Sequence, residues 1–384
     1  MDDKSCLIKN GDVFIDGHFV SQNIIIENGK IVRLFAPGTA PKKDFVVIDA
    51  SGKFVLPGLV DLHVHGAGGS DLLEDRSDAL PDVARHLARF GTTAFLATTL
   101  IMHEDKGQPH IRHIVESPTK HEKAARVLGI HIEGPFVNPD KRGMIQPISI
   151  REPSPAALGS ILKLCQGKLK MMTIAPELDG VIPLLRDLAS QGVIAALGHT
   201  DATYAEVRTG VENGITHVTH VANAMRGLHH REPGALGAAI MDERLSVQII
   251  GDCVHIHPQI FEFIVRSKAP GMYALITDGI RATGLAPGDY EHGVISFVVE
   301  DGVARAKDGT LVGTALTQLQ MIQRLREQTQ IPFAELVRMA TIYPAQILNI
   351  ADQKGSIGEG KDADIVICNQ DLEPVRVFVE GQSV

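Results

Sequence analysis

The sequence predicts an α/β chain: a (β/α)8 TIM barrel with a small β-sandwich domain built from both chain termini. Within residues 58–350, eight apolar runs of strand character alternate with amphipathic helical segments, the pattern of βα units around a buried parallel sheet. Outside that range, residues 1–57 and 351–384 consist of short β-type runs broken by turn signals. A lone pair of terminal strands is marginal in water, so the two ends are expected to join in one sheet system. The 384 residues, 44% of them hydrophobic, are enough for a large barrel core and an accessory domain.

Read in order, the first β-region contains LIKNG, FIDG, NIIIENGKIVRLF and FVVIDASGKFVLPG. Asn28-Gly29 predicts a tight hairpin, because both residues tolerate the positive φ of a type I′ turn. The barrel strands follow as VLPGLVDLHV, TTAFLATT, VLGIHIEG, KMMTIAP, VIAALGH, HVTHVANA, SVQIIGD and YALITDG. The helix after the fifth of these is expected to be capped by Thr200 or Asp201 and to end at Asn213-Gly214. Beyond the eighth, residues 284–314 break the rhythm with a glycine-rich stretch and an expected hairpin, HGVISFVVEDGVARAKDG, placed to overhang the barrel's C-terminal rim. Two closing helices, 314–329 and 332–350, lead to GSIGEGKDADIVICN and VRVFVEG, which complete the terminal β-domain.

Composition narrows the function classes. A net charge of −9 argues against nucleic-acid or anionic-membrane partners, since both demand a broad basic surface. One local cationic pocket would still suffice for a small anionic substrate. Cys6, Cys165, Cys253 and Cys368 form no CxxC pair, so neither a disulfide framework nor a cysteine zinc site is expected. MDDKSCLIKN is charged where a secretory leader would be apolar, and no run reaches the ~18–20 apolar residues of a membrane span. A cytoplasmic location is the expectation.

Chemistry is signalled by polar residues at the C-terminal ends of the expected strands, where barrel enzymes keep their active sites. His63 and His65 end the first strand, Glu133 the third, His199 the fifth and Asp278 the eighth, while His220 lies in the sixth. Residues i and i+2 of a strand share a face, so His63 and His65 project together into the barrel mouth. A glutamate ending an apolar run is costly unless paired or bound to a cation, and the same holds for Asp278 in ALITDG. Imidazole and carboxylate in this grouping suit a borderline divalent ion such as zinc or iron(II). His217, three residues before His220, should point away from it and reads as structural. His131 shares a face with Glu133 and reads as a packed hydrogen-bonding group or a partner to a ligand, outside the metal set.

Seven segments, PGLVDLHVHGAGG, GIHIEGPFVNPDKRG, LGHTDATYAE, THVTHVANAM, HHREPGALGAAI, ITDG and GTLVGTALT, together resemble the N-acetylglucosamine-6-phosphate deacetylase branch of the amidohydrolase superfamily. PGLVDLHVH and GEGKDADIV are shared across the superfamily, whereas HIEGPF, GHTDAT and HVANAM followed by REPG are much more specific to this branch. The resemblance implies hydrolysis of the N-acetyl amide of an amino-sugar 6-phosphate to acetate and the free amine. It implies Glu133, His199 and His220 as principal metal ligands and Asp278 as catalytic acid and base. Because His63-x-His65 is present, the chain resembles those members that bind two ions, with Glu133 near both. Zinc is the expected metal, with iron or manganese as alternatives.

The family pattern further maps substrate contacts onto Asn223, Ala224, Arg231, Asp252, His255 and the run Leu311, Val312 and Gly313. Arg231 suits a phosphate, because a guanidinium fork binds it bidentately. The family often takes phosphate contacts from a neighbouring subunit, which implies a homodimer with the phosphate site near its interface. One departure is that Met144 and Ile145 follow DKRG where relatives usually carry a polar side chain, so contacts there would come from the backbone or from Gln146, and the sugar epimer stays open. Two rival readings are a cyclic-amide hydrolase or deaminase on the same barrel, and a catalytically silent homologue. Arg231 and HVANAM favour a phosphosugar, and the intact ligand positions oppose a silent homologue.

Overall fold

The computed structural model describes residues 5–38, 45–102, 107–292 and 295–384. Met1 to Lys4 of the charged start and the Gly293-Val294 step of the expected rim hairpin lie outside the described residues.

All eight expected barrel strands form, as Leu59–Val64, Thr92–Thr99, Arg126–Glu133, Leu169–Ile174, Ile194–Leu197, Ile215–Val218, Ser246–Ile250 and Tyr273–Ile276. Each pairs in parallel with the next in chain order. A parallel bridge between Val64 and Gly279 closes the eighth strand onto the first, and the His65 N–H donates to the Gly279 carbonyl at 2.7 Å. That closure brings the first and last strand ends, and with them His65 and Asp278, side by side. Helices between the strands bury apolar faces on the sheet: Val83, Ala84 and Leu87 of Ala79–Arg89 are within the same continuous core as Phe95 and Ile130.

The terminal β-runs join as expected. Strands Phe54–Pro57 and Ile365–Cys368 pair antiparallel, linking residues near both ends of the chain in one eight-stranded sheet with its own buried cluster of Ile8, Val13, Ile24, Val55, Ile365 and Phe378. LIKNG and FIDG are one strand, Ser5–Ile15, because a bulge at Asn10-Gly11 lets pairing resume past the expected turn. Its two halves pair with different neighbours, Val46–Asp49 and then Phe54–Pro57. The Asn28-Gly29 hairpin forms with φ of 51° and 80°.

Three expectations are corrected. The helix after the fifth strand is Tyr204–Asn213, capped by Thr203 in a reciprocal box with Glu206, not by Thr200 or Asp201. Both of the latter are held instead by Glu177, through the Thr200 hydroxyl and the Asp201 N–H. The first closing helix starts at Gln318, since Thr314 belongs to a strand of the four-stranded rim sheet formed by Gly288–His292, Ile295–Glu300, Val303–Ala306 and Leu311–Thr314. The second closing helix is two shorter ones, Phe333–Met339 and Ile342–Ile347. Among the described residues, no helix is long and apolar enough to cross a membrane.

Candidate active site

The C-terminal mouth of the barrel gathers the six residues singled out by their positions in the sequence. His63 is the last residue but one of the first strand and has no exposed surface; His65 follows just past the strand end. Glu133 ends the third strand at 7% exposure. His199, His220 and Asp278 each lie two residues past their strands, with φ of 49°, 26° and 50°. The expectation that His220 lies within the sixth strand is therefore corrected. The chain turns into the left-handed region there, a conformation costing a non-glycine residue about 1–2 kcal/mol that persists where surrounding structure enforces it. The turns aim the side chains back over the barrel axis.

Glu133 is the hub. Its Oε1 is 3.0 Å from His220 Nε2, 3.1 Å from His199 Nε2 and 3.5 Å from His63 Nε2, and its Oε2 is 3.3 Å from His65 Nε2. His199 and His220 face each other with Nε2 atoms 3.1 Å apart, and His63 and His65 with 3.0 Å. Asp278 Oδ1 lies 3.4 Å from His63 Nε2 and 3.6 Å from His65 Nε2. Two donor trios result, Glu133 with His199 and His220, and His63 with His65 and Glu133.

These residues fit divalent ions. Two imidazoles whose ring nitrogens meet at hydrogen-bond distance within reach of one buried carboxylate present convergent lone pairs, which a cation satisfies and a packed core would not assemble. The electrostatics agree. Burial pushes Glu133 up, but His63, His199 and His220 outweigh it and hold the carboxyl well below its ordinary range. Burial takes His63 down to about 3, leaving it a neutral ligand-competent ring. Burial also pulls His65 down, and there Glu133 followed by Asp278 prevails, raising it to about 9. His199 is oriented from behind, its Nδ1–H donating to the Lys141 carbonyl at 2.9 Å, so its Nε2 points into the site.

A cavity of about 250 Å³ opens above this cluster. Met144, Ile145, Asn223, Ala224, His255, Leu311, Val312 and Gly313 line it, together with five of the six mouth residues; His63 lies buried beneath. Two expected contacts are elsewhere. Asp252 is fully buried behind the site and accepts from His255 Nδ1 at 2.7 Å, which turns the other ring nitrogen toward the cavity. Burial pushes the Asp252 carboxyl up, and the bond to His255 with the Val254 and His255 N–H groups brings it below its usual value. Arg231 is exposed on its loop, bonded to its neighbour His230 at 2.8 Å, and does not line the cavity. Gln146 folds back onto the Met144 carbonyl at 3.3 Å.

Other residues beside the site are not among those singled out from the sequence. Gly143, Leu100, Ile250, Ile280 and Thr310 also line the cavity. Asp61, two residues before His63, accepts from the Thr277 hydroxyl at 2.7 Å and from the His63 N–H at 3.2 Å, pinning the first strand to the eighth beside Asp278. Burial pushes its carboxyl up to about 7. An aspartate inside an apolar run was the available clue, by the argument that singles out Glu133. His131 donates or accepts with Thr173 at 2.9 Å, and His217 with the Ser246 hydroxyl at 2.6 Å; neither joins a donor trio.

Known proteins resemble this chain in sequence and fold. The model of the amidohydrolase family matches residues 54–384. The N-acetylglucosamine-6-phosphate deacetylase of Bacillus subtilis is 33% identical over 386 residues, covering 98% of this chain and 96% of that protein. The N-acetylgalactosamine-6-phosphate deacetylase of Escherichia coli O157:H7 is 32% identical, covering 88% and 89%. The structure of an aspartate-to-alanine mutant of the Mycobacterium smegmatis N-acetyl-D-glucosamine-6-phosphate deacetylase in complex with N-acetyl-D-glucosamine-6-phosphate superposes with a TM-score of 0.90 at 30% identity, covering 99% of each chain.

Proposed function

The chain belongs to the amidohydrolase family, and from that premise we propose that it hydrolyses the N-acetyl amide of N-acetylglucosamine 6-phosphate to glucosamine 6-phosphate and acetate, within amino-sugar metabolism. The observation that carries this reading is the convergence of Glu133, four histidines and Asp278 beneath one cavity at the barrel mouth.

Glu133, His199 and His220 would hold one divalent ion, and His63 and His65 with Glu133 a second; zinc suits this imidazole and carboxylate set. When bound, such an ion supplies Lewis acidity, which polarises an amide carbonyl and lowers the pKa of water from 15.7 towards ~7. Asp278 is the proton carrier: its carboxylate, 15% exposed at the cavity floor, takes a proton from the attacking water and delivers it to the departing amine nitrogen. His255, held by Asp252, directs a ring nitrogen at the sugar hydroxyls, and Asn223 and the Ala224 backbone border the same space. Apolar Met144, Ile145, Ile280 and Val312 exclude bulk water around the acetyl group.

The phosphate requires a cation from beyond this lining, because no lysine or arginine among the described residues borders the cavity. Arg231 supplies it across a homodimer interface in this reading. Leu228 and Met241 near its loop are exposed, as are Ile260 and Phe263 on the helix Pro258–Ser267, an apolar surface suited to a second copy.

Acetate release from a panel of N-acetylglucosamine, N-acetylgalactosamine and N-acetylmannosamine 6-phosphates, unphosphorylated N-acetylglucosamine and a cyclic amide tests the proposal. The glucosamine derivative should show the highest kcat/KM. Preference for the galactosamine epimer, the substrate named for a relative of nearly equal identity, would redirect the assignment, and turnover of only the cyclic amide would refute it.

A further inference from the structure

We propose that Gln248 is a positioning residue for the second metal ion, fixing the ring orientation and tautomer of His63 across the barrel. The proposal rests on the two-ion reading above. Gln248 is in the middle of the seventh barrel strand, Ser246–Ile250, with no exposed surface and with Val247 and Ile249 on either side. A buried primary amide in an apolar strand is retained at a cost unless its groups are bonded. Here its Oε1 is 3.1 Å from His63 Nδ1 and accepts at a longer 3.5 Å from the backbone N–H of His220, and its Nε2 is 3.3 Å from the Met171 sulfur.

An amide oxygen only accepts, so the hydrogen in this contact belongs to His63 Nδ1. His63 Nε2 is then the lone-pair nitrogen, and it faces His65 Nε2 at 3.0 Å and Glu133 Oε1 at 3.5 Å. A ring flip would take Nδ1 away from Gln248 and Nε2 away from the trio together. The contact spans strands that are not neighbours: the eighth strand, Tyr273–Ile276, lies between the seventh and the first. It is therefore a tie through the barrel interior, independent of the sheet's own hydrogen bonds. His199 has its counterpart in the Lys141 carbonyl, so one ligand peculiar to each trio is held from behind by an oxygen. Such outer partners typically change metal affinity by ~10–100-fold when removed.

The test compares wild type, Gln248→Met and Gln248→Glu, each equilibrated against buffered free zinc over a concentration series, with bound zinc per chain read by elemental analysis. Met has a similar length and replaces the oxygen acceptor by a weakly accepting sulfur; Glu keeps the oxygen. Wild type and Gln248→Glu should take up two ions. Gln248→Met should take up the first at the wild-type concentration and need about 10–100-fold more free zinc for the second. Unchanged second-ion affinity in Gln248→Met overturns the proposal while leaving the two-ion reading intact, and equal weakening of both ions overturns it in favour of a packing role. A wild-type chain that saturates at one ion overturns the two-ion reading and this inference with it. Should Gln248→Met fail to fold, Gln248→Asn, whose amide is one carbon short of Nδ1, carries the same expectations.

Discussion

Substituting Gly313 by alanine should damage the chemistry through the backbone of Asp278. Gly313 has φ of 51°, and a Cβ built there would lie 2.5 Å from the Asp278 carbonyl oxygen and 2.7 Å from Ile280 Cγ2. Real Cβ atoms essentially never approach closer than 3.0 Å, so the Asp278 carbonyl or the strand Leu311–Thr314 must give way by about half an ångström. The carbonyl cannot move alone, because it accepts from the Thr314 N–H at 3.0 Å while the Thr314 hydroxyl donates to the Thr277 carbonyl at 2.7 Å. Left-handed φ adds about 1–2 kcal/mol of strain for alanine. If a 1 Å misplacement of a catalytic group costs on the order of 10²-fold, half of that displacement at Asp278 predicts a loss of roughly tenfold in kcat. Steady-state acetate release at verified metal content measures it. Gly309→Ala is the control: its φ is 87°, but a Cβ there meets nothing within 4 Å, so it should show the strain in its melting temperature and retain wild-type turnover. A kcat for Gly313→Ala within twofold of wild type, or an equal loss in Gly309→Ala, would refute the reasoning.

Other perturbations separate other parts of the account. Burial pushes Glu380 up, and Arg126 and Lys120 prevail to bring it down to about 2 from 4.5, so its contribution is present above its ordinary pKa and lost as pH falls from about 4.5 to 2. Chemical denaturation of wild type should lose up to about 3 kcal/mol more over that window than Glu380→Gln, and parallel curves would contradict the assignment. Arg231→Ala should raise KM for the phosphorylated substrate by ~10–100-fold with little change in kcat, since a charge-assisted bond to phosphate contributes about 1.5–3 kcal/mol. The same variant should leave the KM of the unphosphorylated sugar unaltered. Dialysis against a chelator should abolish acetate release and zinc should restore it, whereas Glu133→Gln, which removes the charge shared by both trios, should regain neither full metal content nor turnover.

The barrel was legible because its strands are short apolar runs with breaks between them, and burial on both faces leaves little room for other residues. His63, His65, Glu133 and Asp278 were legible for the complementary reason that such groups do not belong at apolar strand ends without a task. What stayed hidden depends on distance through space. Thr203 caps its helix in place of Thr200 or Asp201 because Glu177, whose demand on both is invisible in the local sequence, holds them. The departure of His220 from its strand is set by the left-handed turn at φ 26°, which no residue type announces. Leu100, Ile250 and Ile280 look like any core residues in sequence and face the cavity only because of where their strands end. Gln248 was likewise one polar letter in an apolar run, and its partner is 185 residues away.

The central claim is that Asp278 carries the proton in a metal-dependent deacetylation. Its direct measure is acetate release from N-acetylglucosamine 6-phosphate by wild type and Asp278→Asn, each with bound metal quantified in the same sample. The account predicts metal content near wild type and a kcat lower by about 10²–10⁴-fold in the variant. Near wild-type turnover by Asp278→Asn would contradict it.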